Sequence, residues 1–91
     1  VVLGRQAEFD ISRRLSVLSI QNAAGARKLG DRYARAFQRL SEHPLIGKPA
    51  LGGKSQDLIV KSRHWRCVIR SRIVADMIFV TRIWHGCEEK P

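Results

Sequence analysis

The chain has 91 residues, 44% of them apolar, with seventeen Lys and Arg against eight Asp and Glu, a formal charge of +9. Such a length accommodates one domain around a single two-layer core, because a chain of this size buries roughly 60–65% of its unfolded surface. The apolar share excludes a disordered chain, and the longest unbroken apolar run, MIFV at 77–80, leaves no candidate for a membrane-spanning helix.

Val1, Val2 and Leu3 read as a short first strand that Gly4 ends. From Arg5 to about Asn22 the apolar positions Ala7, Ile11, Leu15 and Leu18 step by four, four and three, which is one face of an amphipathic helix. Glu8 and Asp10 fall in its first turns, where a carboxylate favours the helix dipole. Asn22 can stop this helix or cap the next. The second helix runs from about Ala23 to Ser41 on a stripe of Leu29, Tyr33, Phe37 and Leu40, extended by Ala26. Gly25 and Gly30 each weaken it by about 1 kcal/mol relative to Ala, and are read as points where the first helix approaches closely. With almost no linker between them, the two helices form a hairpin.

HPLIGKPALGGKS at 43–55, with two Pro and three Gly, is a loop. Beyond it the apolar period shortens to two. Residues 57–61 and 65–73 read as strands, 74–76 as a tight turn, and 77–84 as a third strand. The order β-α-α-β-β-β predicts an α+β fold, a single domain over 1–91 in which an N-terminal helical hairpin packs on one face of a small, mainly antiparallel sheet.

Alternation sorts the side chains of 65–73 into two faces. Cys67, Ile69 and Ile73 point one way with Ser71; Arg66, Val68, Arg70 and Arg72 point the other. Lys61 and Arg63 add charge from the preceding strand and turn. Like charges at alternate positions give a sheet nothing intrinsic, so this face is either simply solvated or a surface that grips phosphates or a partner's carboxylates. The charge excess runs evenly along the chain and belongs to the folded body, and Arg, which outnumbers Lys, suits bidentate contacts.

The element order, the HPLIGKP loop at 43–49 and the closing RIWHG at 82–86 resemble the RelE/ParE superfamily of toxins from bacterial type II toxin–antitoxin pairs. AEFDI at 7–11 is similar to the family's early helix, and RCVIRSRI at 66–73 to its central strand. The resemblance covers nearly the whole chain. It implies a small basic cytoplasmic protein, neutralised by a cognate acidic antitoxin in a hetero-oligomer. It also implies one of two activities. The ParE-like branch poisons DNA gyrase without a recognised nuclease site; the RelE-like branch cuts mRNA on the ribosome. The His-Gly ending looks closer to the ParE-like branch, although IRSRI lacks the Tyr that many such members carry before the Arg.

Metal-free RNA cleavage needs a base, an acid and cations around the phosphate. Under the RelE-like reading Arg66, Arg70 and Arg72 supply the cations, and His85 is the leading acid–base candidate, followed by His64, Glu88 and Glu89. The bland reading of His85 is a hydrogen-bonding residue that ends the last strand. A tyrosine near the C-terminus, used by some RNA-cutting relatives, is absent here. Under either reading Lys61, Arg63, Arg66, Arg70, Arg72, Arg82 and Trp84 are the expected partner-binding set, while Trp65 and Trp84 are equally compatible with core packing. No cofactor and no metal are expected: Cys67, Cys87 and His85 lack the spacing of a zinc site, and GGK at 52–54 is only a fragment of a phosphate loop. Two cysteines are too few for a disulfide framework.

Overall fold

A computed structural model of the chain describes residues 1–50, 53–61 and 66–86. Strand β1 (Val2–Leu3) leads into helix α1 (Arg5–Gln21) and helix α2 (Ala23–Glu42), followed by β2 (Lys48–Pro49), β3 (Gln56–Lys61), β4 (Arg66–Val74) and β5 (Met77–His85). The strands form one sheet in the order β1-β5-β4-β3-β2. Only the β1–β5 pairing is parallel; β2–β3, β3–β4 and β4–β5 are antiparallel. This is the expected α+β architecture with one strand more. Lys48 and Pro49, within the predicted loop, pair with Asp57 and Gln56, and Pro49 is tolerated because it lies on an edge strand.

Asn22 serves both helices. Its backbone N–H donates to the Leu18 carbonyl (2.7 Å), closing α1, and its side chain accepts from Gly25 N–H (2.9 Å), capping α2. The glycines of α2 do not mediate helix contact as the sequence suggests. A Cβ on Gly25 would lie 2.8 Å from the Asn22 amide nitrogen, so that glycine makes room for the cap, and nothing lies within 4 Å of one on Gly30.

The core lies between the helices and one sheet face. Ala7, Leu29, Tyr33, Ala36 and Leu40 from the helices meet Leu58, Cys67, Ile69, Val80 and Ile83 from the sheet, with Ile11, Leu15, Leu18 and Phe37 around them. In β4 the expected alternation holds for Cys67, Ile69 and Ser71, all buried, but Ile73 is 42% exposed at the hairpin end of the strand. In β5 a register shift changes the pattern: Arg70 pairs with Arg82 and Ser71 with Val80, leaving Thr81 as an extra residue whose hydroxyl donates to the Arg70 carbonyl (3.3 Å). The bulge lets Val80 and Ile83, three residues apart, both face the core.

The β4–β5 turn is Ala75-Asp76, both at positive φ (51° and 64°). Two such residues match the right-handed twist of a tight hairpin, and Asp tolerates this region better than Ala does. No helix among the described residues is long and apolar enough to cross a membrane.

Candidate partner-binding site

Opposite the helices the sheet presents Asp57, Ile59 and Lys61 from β3, Arg66, Val68, Arg70 and Arg72 from β4, and Phe79, Arg82 and Trp84 from β5. The predicted arginine row is therefore on one open face. Its arginines are not equivalent. Lys48, Asp57, Arg70 and Arg82 stand opposite one another in register, forming a charged row across four strands. Arg70 donates through Nε and Nη2 to the two oxygens of Asp57 (2.9 and 3.2 Å), and this bonding raises its already high pKa. Its guanidinium also lies 4.9 Å from the centre of the Trp84 ring. Trp84, expected as an interface anchor, is only 3% exposed beneath it. Arg66 and Arg72 are exposed.

Arg82, also expected to meet a partner, is committed within the fold. It donates through Nε and Nη2 to Asp10 on α1 (3.0 and 3.3 Å), and Asp10 Oδ2 accepts a third bond from the Ile83 backbone N–H (2.9 Å). The cause is the shortness of β1. That strand pairs only with Phe79 and Val80, and Gly4 N–H donates to the Val80 carbonyl, after which the chain turns into α1. The N–H of Ile83 is then left without a strand beside it, and a buried N–H must find an acceptor. Asp10, whose side chain is 5% exposed, supplies one. Reading Asp10 as a helix-dipole residue missed this, and no local pattern signals a contact across 72 residues.

His85 lies on the other face. It pairs with Cys67 across β4–β5 and points toward α2, where its Nε2 hydrogen-bonds the Tyr33 hydroxyl (2.8 Å) with the two rings edge to face. Burial, reinforced by the Arg14 charge, lowers the His85 pKa to about 4, so the ring is neutral at pH 7. Burial likewise raises the Tyr33 hydroxyl above its ordinary value and pushes the Cys67 thiol up to about 11. The fold thus brings Arg66, Arg70 and Arg72 together and sets His85 apart from them, across the sheet. Beside His85 a cavity of about 360 Å³ opens along the hairpin, with Val17, Leu18 and Leu29 as apolar lining and Arg14 and Arg32 as cations.

Arg63, His64, Trp65, Cys87, Glu88 and Glu89 lie outside the described residues. Among the described residues no three His, Cys, Asp or Glu side chains converge as a metal site would require.

A helical hairpin thus covers one face of a small, mainly antiparallel sheet and arginines line the other, and over almost its whole length the chain is similar to a known bacterial toxin. It is 29% identical over 90 residues to Toxin RelE1 of Caulobacter vibrioides, an alignment spanning 99% of this chain and 96% of that protein. No protein-family model matches the chain.

Proposed function

We propose that this protein is the toxin of a type II toxin–antitoxin module, acting in the cytoplasm and held inactive by a cognate acidic antitoxin. In this reading the free toxin inhibits DNA gyrase by binding, in the ParE-like manner, and does not cut RNA. One observation carries the choice between activities. His85 is neutral, hydrogen-bonded to Tyr33 on the helix side, and faces away from Arg66, Arg70 and Arg72. A general acid must hold a proton at neutral pH and reach the leaving oxygen while the cations hold the phosphate. A ring with these bonds on this side of the sheet is poorly suited to that work.

The antitoxin reading is supported by charge and shape. Two surfaces suit an acidic amphipathic segment: the open sheet face, and the cavity along the hairpin where Arg14 and Arg32 flank Leu18 and Leu29. A toxin–antitoxin hetero-oligomer follows. A double reversal of Arg70 and Arg72 to Glu should weaken that complex at low salt, and unchanged affinity would count against coverage of the sheet face.

The competing reading, a ribosome-dependent mRNA endonuclease, draws its support from the exposed Arg66 and Arg72 on the open face. Induced expression with separate readouts of plasmid supercoiling and mRNA integrity decides between them. Altered supercoiling with intact mRNA is the expected result. Early mRNA fragmentation that disappears when Arg66, Arg70, Arg72 and His85 are replaced together would establish the nuclease instead. Normal growth with soluble, folded protein would mark a partner-binding protein without toxicity.

A further inference from the structure

We infer that a small cavity on the open sheet face is the socket for one apolar side chain of an acidic peptide, with Lys48, Lys61 and Arg66 gripping the neighbouring carboxylates. The inference deepens the antitoxin reading and rests on it for the identity of the partner.

The cavity measures about 310 Å³. Ile59, Val68 and Trp84 give it apolar walls, and Lys48, Asp57 and Arg66 line it with charge. Much of the face's positive charge is already spoken for: Arg70 is bound to Asp57, and Arg82 to Asp10. The charge that remains beside the cavity is arranged at a cost. Lys61 and Arg66 stand directly opposite each other on β3 and β4, both exposed, with no ion pair among the described residues. Like charges so placed destabilise an antiparallel pair, and an anion lying between them would relieve the repulsion. Gly86 fixes where Arg66 lies. Its N–H donates to the Arg66 carbonyl (2.8 Å), and a Cβ there would come within 2.8 Å of the Arg66 side-chain stem. The glycine lets that stem lie across the end of β5, at the border of the cavity.

The chemistry favours a peptide over a nucleic acid. Sequence-tolerant binding of single strands uses exposed aromatic faces for stacking. Trp84 is buried beneath the Arg70 guanidinium and offers none. The carboxylate of Asp57 lines the cavity and repels a phosphate placed there. An aliphatic or aromatic side chain in the socket, followed along the chain by Asp or Glu, satisfies both the walls and the cations.

The test titrates the whole purified chain with labelled probes, read by fluorescence anisotropy at about 0.1 M salt, where exposed charges separated by more than about 10 Å are largely screened. The probes are a short peptide alternating Leu and Asp, the same peptide with Ser for Leu, and single-stranded RNA of equal charge. The Leu–Asp peptide should bind best, losing about tenfold on the change to Ser and about tenfold on Arg66→Glu, each step worth about 1.4 kcal/mol. Arg72→Glu, at the far end of β4, should change affinity by less than about threefold, or about 0.65 kcal/mol on the same scale. Circular dichroism confirms that the variants, both at exposed positions, remain folded. Equal binding of the Leu and Ser peptides, tighter binding of RNA, or indifference to Arg66→Glu would each overturn the socket. A chain that binds the peptide in this way but inhibits nothing in cells sinks the toxin reading and leaves the socket standing. A toxic chain whose Arg66→Glu variant binds the peptide unchanged sinks the socket alone.

Discussion

On the helix side of the sheet, the polar groups that β4 and β5 turn toward the hairpin are uncharged: Ser71, the Cys67 thiol, and His85 bonded to Tyr33. On the open side they are ionic and joined in register, from Lys48 through Asp57 and Arg70 to Arg82, with Asp10 reaching the row from α1. Burial drives the first group toward neutral forms because a low-dielectric setting penalises charge. Solvent lets the second group stay charged and pair off. The difference shows that a high count of basic residues overstates the charge a surface can offer. Of the four open-face arginines in β4 and β5, two have carboxylate partners among the described residues.

The largest expected effect tests the packing contrast. Ile69→Ala, at a fully buried site, should lower stability by about 2–5 kcal/mol in urea denaturation, while Val68→Ala, one residue away on the open face, should cost less than about 1 kcal/mol. Similar losses at both positions would mean that the open face is as tightly packed as the core.

Next come the two ion pairs. Asp10→Asn weakens acceptance from Arg82 and from the Ile83 N–H at a buried site, and should cost about 2 kcal/mol, discounted from the fully buried case because Arg82 is about a third exposed. Asp57→Asn acts on a pair closer to solvent and should cost about 0.5–1 kcal/mol. A double-mutant cycle with Arg82→Gln or Arg70→Gln separates the pair from the rest, and equal coupling energies would erase the distinction between edge and face.

The pH dependence of stability should follow His85. Its pKa is about 4 when folded and near the ordinary 6.5 when unfolded. Between those values the unfolded chain takes up the proton and the folded one does not, so this stabilisation is complete above pH 6.5 and declines as pH falls toward 4. His85→Gln should flatten that decline in denaturation curves recorded across the range; an unchanged slope would place the titration elsewhere. The smallest effect is at the hairpin tip. Ala75→Gly removes the penalty of a positive φ and should stabilise by about 0.5–1 kcal/mol, partly offset by glycine's added freedom in the unfolded chain.

Local rules made much of this molecule readable. Four-four-three spacing located both helices, and alternation placed Cys67, Ile69 and Ser71 opposite Arg66, Arg70 and Arg72. What escaped depended on distant partners. Lys48 and Pro49 are strand only because Asp57 and Gln56 lie beside them. The bulge at Thr81 belongs to the β4–β5 register, which alternation within either strand does not reveal. Asp10 and Arg82, or Tyr33 and His85, meet only once helices and sheet have docked. The arginine row was legible as a row; which of its members are engaged was not, because Asp57 and Asp10 enter from other elements.

Among the described residues the first strand pairs only with β5, and the carboxylate that completes the free edge of β5 waits on α1 for residues that come 72 and 73 positions later. In kinetic terms, the helical hairpin has mostly local contacts and can form early, whereas the contacts that unite hairpin and sheet are among the most sequence-distant in the chain, the kind whose loop-closure entropy slows folding. On the ribosome, where the N-terminal parts emerge first, the core cannot close until β5 has been made and released. Throughout that interval β4 lacks its final neighbour, and a partner already present would meet an unfinished sheet before it met a finished domain.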